Sequence, residues 1–225
     1  MLRFTRTFIL LCLIAVSATV VGQTERPANK SERISADAPT SIDLTTPEAA
    51  HQTYFDAFAD RRFEVMHECL TPASRPSFLI IAADYVRQSI DYKDREARSE
   101  LDRIVREHGA PKSAVGFYLK LRSVRSSTEK ANAIQAAYDA VRDKPGYLNA
   151  LSQLAAKHPP SGRLAGIYER SRQPDVKNVV IEGDQASGIL HTDRDPGKEG
   201  SVRFERHNGR WHIVKDFRIG EENRK

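Results

Sequence analysis

Cysteine is scarce in this chain: Cys12 and Cys69 are the only two among 225 residues. Cys12 sits inside an N-terminal apolar stretch, so the remainder holds one thiol and no intrachain disulfide framework. Zinc-binding patterns are missing as well. The seven histidines are His51, His67, His108, His158, His191, His207 and His212, and no pair has the helix spacing of metal ligands with a carboxylate beside it. His67-Glu68 lacks the second histidine of the metalloprotease pattern. There is no Gly-x-Ser-x-Gly elbow and no glycine-rich phosphate loop. These gaps predict no catalytic residue set, no metal site and no bound cofactor.

Charge of one sign is also lacking. The whole chain carries 35 Lys+Arg against 30 Asp+Glu, a net +5. A nucleic-acid binder shows a clustered basic face. The densest basic stretch, residues 87–106, is interleaved with Asp91, Asp94, Glu96, Glu100 and Asp102 and reads as a solvated helix face. Nucleic acid is therefore not an expected partner.

The first 22 residues contain the one prominent apolar run. Arg3 and Arg6 precede an uncharged apolar stretch over residues 8–16, and small residues follow to Gly22. That layout predicts a secretory signal peptide cleaved before Gln23, and hence a secreted or periplasmic protein. The run is shorter than the roughly 20 residues a spanning helix needs, so no integral span is expected after cleavage, and an uncleaved anchor is the competing expectation. Cleavage removes Arg3 and Arg6 and leaves 33 basic against 30 acidic residues, a net +3. Residues 23–45 are polar, rich in Ser, Thr and Pro and without hydrophobic period; they read as a disordered tether.

Order is expected from Thr46-Pro47, a good N-cap followed by proline at the first helical position. Ala50, Tyr54, Ala57 and Phe58 form the apolar stripe of a first helix. Phe63, Met66 and Leu70 mark a short second one. Thr71-Pro72 repeats the cap-plus-proline signal and predicts a third helix through Phe78, Leu79, Ile80, Tyr85 and Val86. A helical insertion over 93–170 follows. Its stripes are Ala97, Leu101, Ile104 and Val105, then Ala131, Ile134, Tyr138 and Val141, then Leu148, Leu151, Leu154 and Ala155, with Gly109-Pro111 and Lys144-Pro145-Gly146 as breaks.

After Pro174 the period changes from 3.6 to 2, which predicts strands over 176–182, 185–192, 201–207 and 210–219. Asn208-Gly209 is a two-residue type I′ turn signal. It sets His207 opposite Arg210, Glu205 opposite His212 and Phe204 opposite Ile213, with Val202 opposite Lys215. Gly183-Asp184 sets Ile181 opposite Ala186 and Val179 opposite Gly188. Both turns place Val179, Ile181, Ala186, Leu190, Val202, Phe204, Trp211, Ile213 and Phe217 on one apolar face. The expected architecture is α+β: one domain over 46–219, its N-terminal helices and helical insertion packed on one face of a C-terminal four-stranded antiparallel sheet, with a tail over 220–225.

Two stretches resemble a known family. Thr46-Pro47-Glu48-Ala49-Ala50, then Phe63-Glu64-Val65-Met66 and Leu70-Thr71-Pro72, resemble the opening of the nuclear transport factor 2-like superfamily. The Gly183-Asp184-Gln185-Ala186 turn and the Asn208-Gly209-Arg210-Trp211 hairpin are similar to its last strands. The likeness covers about residues 46–86 and 176–219, and the long helical region between them departs from the family. The resemblance implies a cone-like fold, a homodimer through the sheet, and one of three things: a small-molecule pocket, isomerase or cyclase activity, or no chemistry.

The face opposite the apolar one carries His191, Arg203, Glu205, His212 and Asp216. A His–carboxylate pair is what proton abstraction needs, but an exposed sheet face has the same composition, and Glu205 and His212 make a favourable cross-strand pair. Lys177, Arg206 and Lys215 fall on the apolar side near its ends, as rim residues with solvated heads. Cys69 reads as a buried structural cysteine, and residues 192–200 as a solvated strand connection rather than a calcium loop. With no acid–base pair pointing inward, the expected function is an exported, non-catalytic binding or interaction domain with an unknown small molecule or protein as partner. The alternative is a small-molecule isomerase, cyclase or hydrolase using a pocket between helices and sheet.

Overall fold

Thr46 opens the first helix, its Oγ1 accepting a hydrogen bond from Ala49 N at 3.1 Å. In this computed structural model, the described residues are 42–159 (without Tyr92, Arg122 and Arg125), 175–191 and 200–215. The predicted leader, most of the tether, the 192–199 connection, Asp216 and Phe217 lie outside them. Helix α1 is Pro47–Asp60. It ends on Arg61 in the left-handed region (φ 57°), where Arg62 N donates to Ala57 O at 2.8 Å. Order reaches back further than the tether prediction allows: Leu44 is buried, and its carbonyl accepts from Trp211 N at 2.8 Å.

Helix α2 is Phe63–Glu68 and α3 is Arg75–Ser89. Thr71-Pro72 does not begin α3, which starts three residues later. Thr71 Oγ1 pairs with Ser74 Oγ at 2.9 Å, and the backbone here joins the sheet: Thr71 N donates to Ile213 O at 3.0 Å, and Ile213 N donates to Cys69 O at 2.8 Å. With Leu44 on Trp211, this segment covers the outer edge of the last strand, an edge that would otherwise offer unpaired backbone groups.

The insertion forms α4 (Arg95–His108), α5 (Ala114–Leu121), α6 (Ser127–Ala140) and α7 (Lys144–Lys157). Asp94 caps α4 by accepting from Ala97 N at 2.9 Å, and Gly109 ends it at φ 74°. Lys144-Pro145-Gly146 is more than a break. It is the first turn of α7, capped by Asp143 accepting from Gly146 N at 3.0 Å. These helices make their main contacts with α2 and α3, whereas α1 is the helix that lies chiefly on the sheet. The insertion therefore thickens the helical side instead of adding to the sheet-facing layer. No helix among the described residues is long and apolar enough to cross a membrane.

The sheet is an antiparallel meander of β1 (Asp175–Glu182), β2 (Gln185–His191), β3 (Gly200–His207) and β4 (Arg210–Val214), in that order. The Asn208-Gly209 turn sets the pairs Glu205–His212, Phe204–Ile213, Arg206–Trp211 and His207–Arg210 as predicted. Phe204, Trp211 and Ile213 are buried. The upstream hairpin differs. Ile181 does face Ala186, but a bulge between Lys177 and Val180 removes the Val179–Gly188 pair. Asn178 takes φ 54° there, a region that asparagine tolerates better than most residues. The bulge reverses the alternation, so Val176 turns inward beside Val179 and Lys177 pairs with Ile189 on the outer side. Lys177 is thus not an inner-face residue. Ile181, beside the Gly183-Asp184 turn, has the inner register yet is 55% exposed.

Val176 and Val179 both pack over Gly188, where a Cβ would lie 2.6 Å from Val176 Cγ1 and 3.3 Å from Val179 Cγ2. Gly188→Ala should therefore cost about 1–3 kcal/mol as an overpacking change. Val176→Ala should recover most of that loss in the double variant, measured by urea melts. An additive double variant would contradict the bulged packing.

Candidate functional site

Helix α1 and the inner face of the sheet enclose a cavity of about 130 Å³. Phe55, Leu190, Val202 and Ile213 supply its apolar wall. Its polar residues come from three places: His51 and Tyr54 from α1, Ser201 from β3, and Lys215 from the residue after β4. Lys215 is anchored by its backbone N, which donates to Ser74 Oγ at 3.0 Å. Its Nζ donates to Tyr54 Oη at 3.1 Å and lies 4.7 Å from the Tyr54 ring centre and 5.6 Å from that of Phe55.

Each of these groups is shifted by burial. His51 is 2% exposed, and desolvation, helped by the Lys215 charge, brings its imidazole down to about 4. It is neutral at ordinary pH. Its ring sits 4.6 Å from Phe55 and edge-on to Phe204 at 6.3 Å. His51 Nε2 is buried with no hydrogen-bond partner. Such an atom costs free energy unless something satisfies it. Desolvation also holds the Tyr54 phenol well above its ordinary value and brings the Lys215 ammonium down to about 8.

The outer face does not form the expected His–carboxylate pair. Glu205 and His212 are opposed across β3 and β4, but Glu205 Oε2 lies 3.1 Å from His207 Nε2 on its own strand. His212 is buried, and its Nδ1 lies 3.1 Å from Glu68 O at the end of α2. Burial lowers its pKa, and the Glu68 carbonyl partly opposes that. Arg203 is exposed; the side chain of His191 and all of Asp216 lie outside the described residues. A groove of about 160 Å³ runs along this face past Val180, Ser187, Arg203 and Glu205, but no buried unpartnered polar atom is found among its lining residues.

Other residues singled out from sequence have structural settings. Cys69 is fully buried, its thiol pushed up to about 12 chiefly by desolvation, which makes it a poor nucleophile. His67 stacks on Tyr138 with 6.2 Å between ring centres. Arg206 donates to Asp184 Oδ1 at 2.8 Å and covers Trp211, as a rim residue should. Lys215 is no rim residue; its head points inward. His51 was missed as a site residue. It falls one position after Ala50 and three before Tyr54, within the apolar stripe, and a polar residue inside such a stripe was the available signal. No group of His, Cys, Asp and Glu among the described residues is arranged to hold a metal ion.

No family model, curated protein or solved structure matches this chain.

Proposed function

We propose that the chain is an exported, non-catalytic small-molecule-binding domain of the nuclear transport factor 2-like class, with the cavity between α1 and the sheet as its ligand site. The cavity itself carries this reading: an apolar wall with the buried His51 among its lining residues and Lys215, whose Nζ donates to Tyr54 Oη, at one side. A ligand with one polar group would direct it to Lys215 or Ser201 while its apolar part meets Phe55, Val202 and Ile213. The class assignment is supported by the opening helices, the Leu70-Thr71-Pro72 corner against β4 and the meander that closes the chain. Export is supported by Arg3, Arg6 and the apolar stretch after them; a secreted product beginning at Gln23 would agree with it, and one beginning at Met1 would not.

Acid–base turnover is the weaker alternative. An efficient general base has a pKa near the working pH; His51 at about 4 is too weak, and Lys215, brought down to about 8, has no carboxylic acid partner on the cavity wall among the described residues.

The size of the cavity sets the test. A dry cavity of about 150 Å³ accommodates benzene, so this one of about 130 Å³ takes roughly one small ring, with any substituent directed to its open side. A fragment screen by thermal unfolding should find ring compounds with one polar group that raise the Tm of the full chain. At about 100 times Kd the stabilisation is about 2.7 kcal/mol, or roughly 5–10 °C for a domain of this size. Val202→Phe, which fills the cavity, should abolish the shift. A screen without a stabilising compound, or equal shifts in both proteins, would count against the pocket.

A further inference from the structure

Lysine side chains ordinarily extend an apolar stem and keep the ammonium in water. Lys215 does the reverse. Its backbone is held by Ser74, whose hydroxyl also pairs with Thr71 Oγ1 at 2.9 Å, and its Nζ sits inside on Tyr54 Oη. The chemistry that singles out such a lysine is nucleophilic: an amine desolvated in an apolar pocket is activated for attack on carbonyl carbon.

We infer that the cavity captures a small aldehyde or ketone by forming an imine on Lys215 Nζ, an assignment that rests on this cavity being the ligand site. The amine lone pair attacks the carbonyl carbon, a C–N bond forms, and the C=O π pair moves to oxygen. A proton passes from nitrogen to that oxygen to give a carbinolamine. Loss of the hydroxyl as water leaves C=N. Carbonyl compound and amine give imine and water, reversibly, with no oxidant or reductant. Tyr54 Oη, in contact with Nζ, is placed to relay the proton from nitrogen to oxygen, and its phenol stays protonated because burial holds it well above its ordinary range. The ligand's remaining atoms meet Phe55, Leu190, Val202 and Ile213.

The groups facing Nζ make the amine accessible near neutral pH. Desolvation brings the ammonium down to about 8, while the Tyr54 and Phe55 ring faces act the other way by favouring the cation. Among the described residues that line the cavity with it, His51 and Tyr54 from α1 are both uncharged between pH 5 and 9, and β3 contributes Ser201 and Val202.

The test treats the full chain with benzaldehyde and sodium cyanoborohydride, which reduces the imine to a stable benzylamine, and locates it by peptide mass. Lys215 should be modified about tenfold faster at pH 7 than the exposed Lys112 and Lys157, because far more of it is present as amine. Tyr54→Phe should slow modification at Lys215 and leave Lys157 unchanged. Modification of Lys215 no faster than of Lys112, or a Tyr54→Phe protein that reacts like the wild type, would overturn the inference. Benzyl alcohol separates the two levels. If it raises the Tm while benzaldehyde fails to mark Lys215, imine capture is wrong and the pocket stands. If neither compound binds, both fall.

Discussion

Lowering the pH from 7 to 4 should cost the folded chain about 6 kcal/mol, arising from His51 and His67 together. Desolvation lowers both imidazoles to about 4, with Lys215 adding to the effect at His51 and Arg75 and Lys144 at His67. In the unfolded chain each titrates near 6.5. Between those values the unfolded state binds protons that the folded state refuses, so stability is full above about 6.5 and declines as pH falls toward 4. Each residue contributes about 3 kcal/mol at the lower limit. Since domains are commonly stable by 5–15 kcal/mol, the chain should approach unfolding at pH 4. Urea melts at pH 7, 5.5 and 4 read the loss, and His51→Gln and His67→Gln should each remove about half of it. A stability that is flat over this range would mean that both rings are open to water.

The second large effect is at Phe204. Its ring is 1% exposed and packs edge-on to His51, so Phe204→Ala should cost about 3–5 kcal/mol, a Tm loss of roughly 6–20 °C for a domain of this size. Arg203→Ala, one residue away on the opposite face, should cost under about 1 kcal/mol. The contrast tests the Asn208-Gly209 register, because a one-residue slip exchanges the two faces. Equal losses in chemical denaturation would contradict it.

Much of this fold is written in local chemistry. Thr46-Pro47, Asp94 and Gly109 fix helix ends because side-chain oxygens, proline and a left-handed glycine satisfy backbone needs that any helix has. Asn208-Gly209 fixes the last hairpin because a two-residue turn leaves one register. What stayed hidden depended on contacts distant in sequence. Thr71-Pro72 has the form of a helix start, yet the Thr71 backbone is held by Ile213, more than a hundred residues on. The bulge at Asn178 breaks an alternation that looks continuous in the sequence, which is why Lys177 and Val176 exchange faces. The candidate site suffered from both limits. Tyr54 is recognisable as core, but His51 and Lys215 acquire meaning only when the end of β4 is laid against α1. On the outer face the register of Glu205 and His212 was legible, while the competing attractions of His207 and the Glu68 carbonyl were not.

The most direct test of the central claim, a ligand site between α1 and the sheet, is a titration of the isotope-labelled full chain with benzyl alcohol followed by NMR. The claim predicts saturable shifts of the His51 side-chain nitrogens and of the Val202 and Lys215 amides, with Val180 and Ser187 on the outer face unchanged. Shifts confined to the outer face, or none at His51 at saturating ligand, would contradict it.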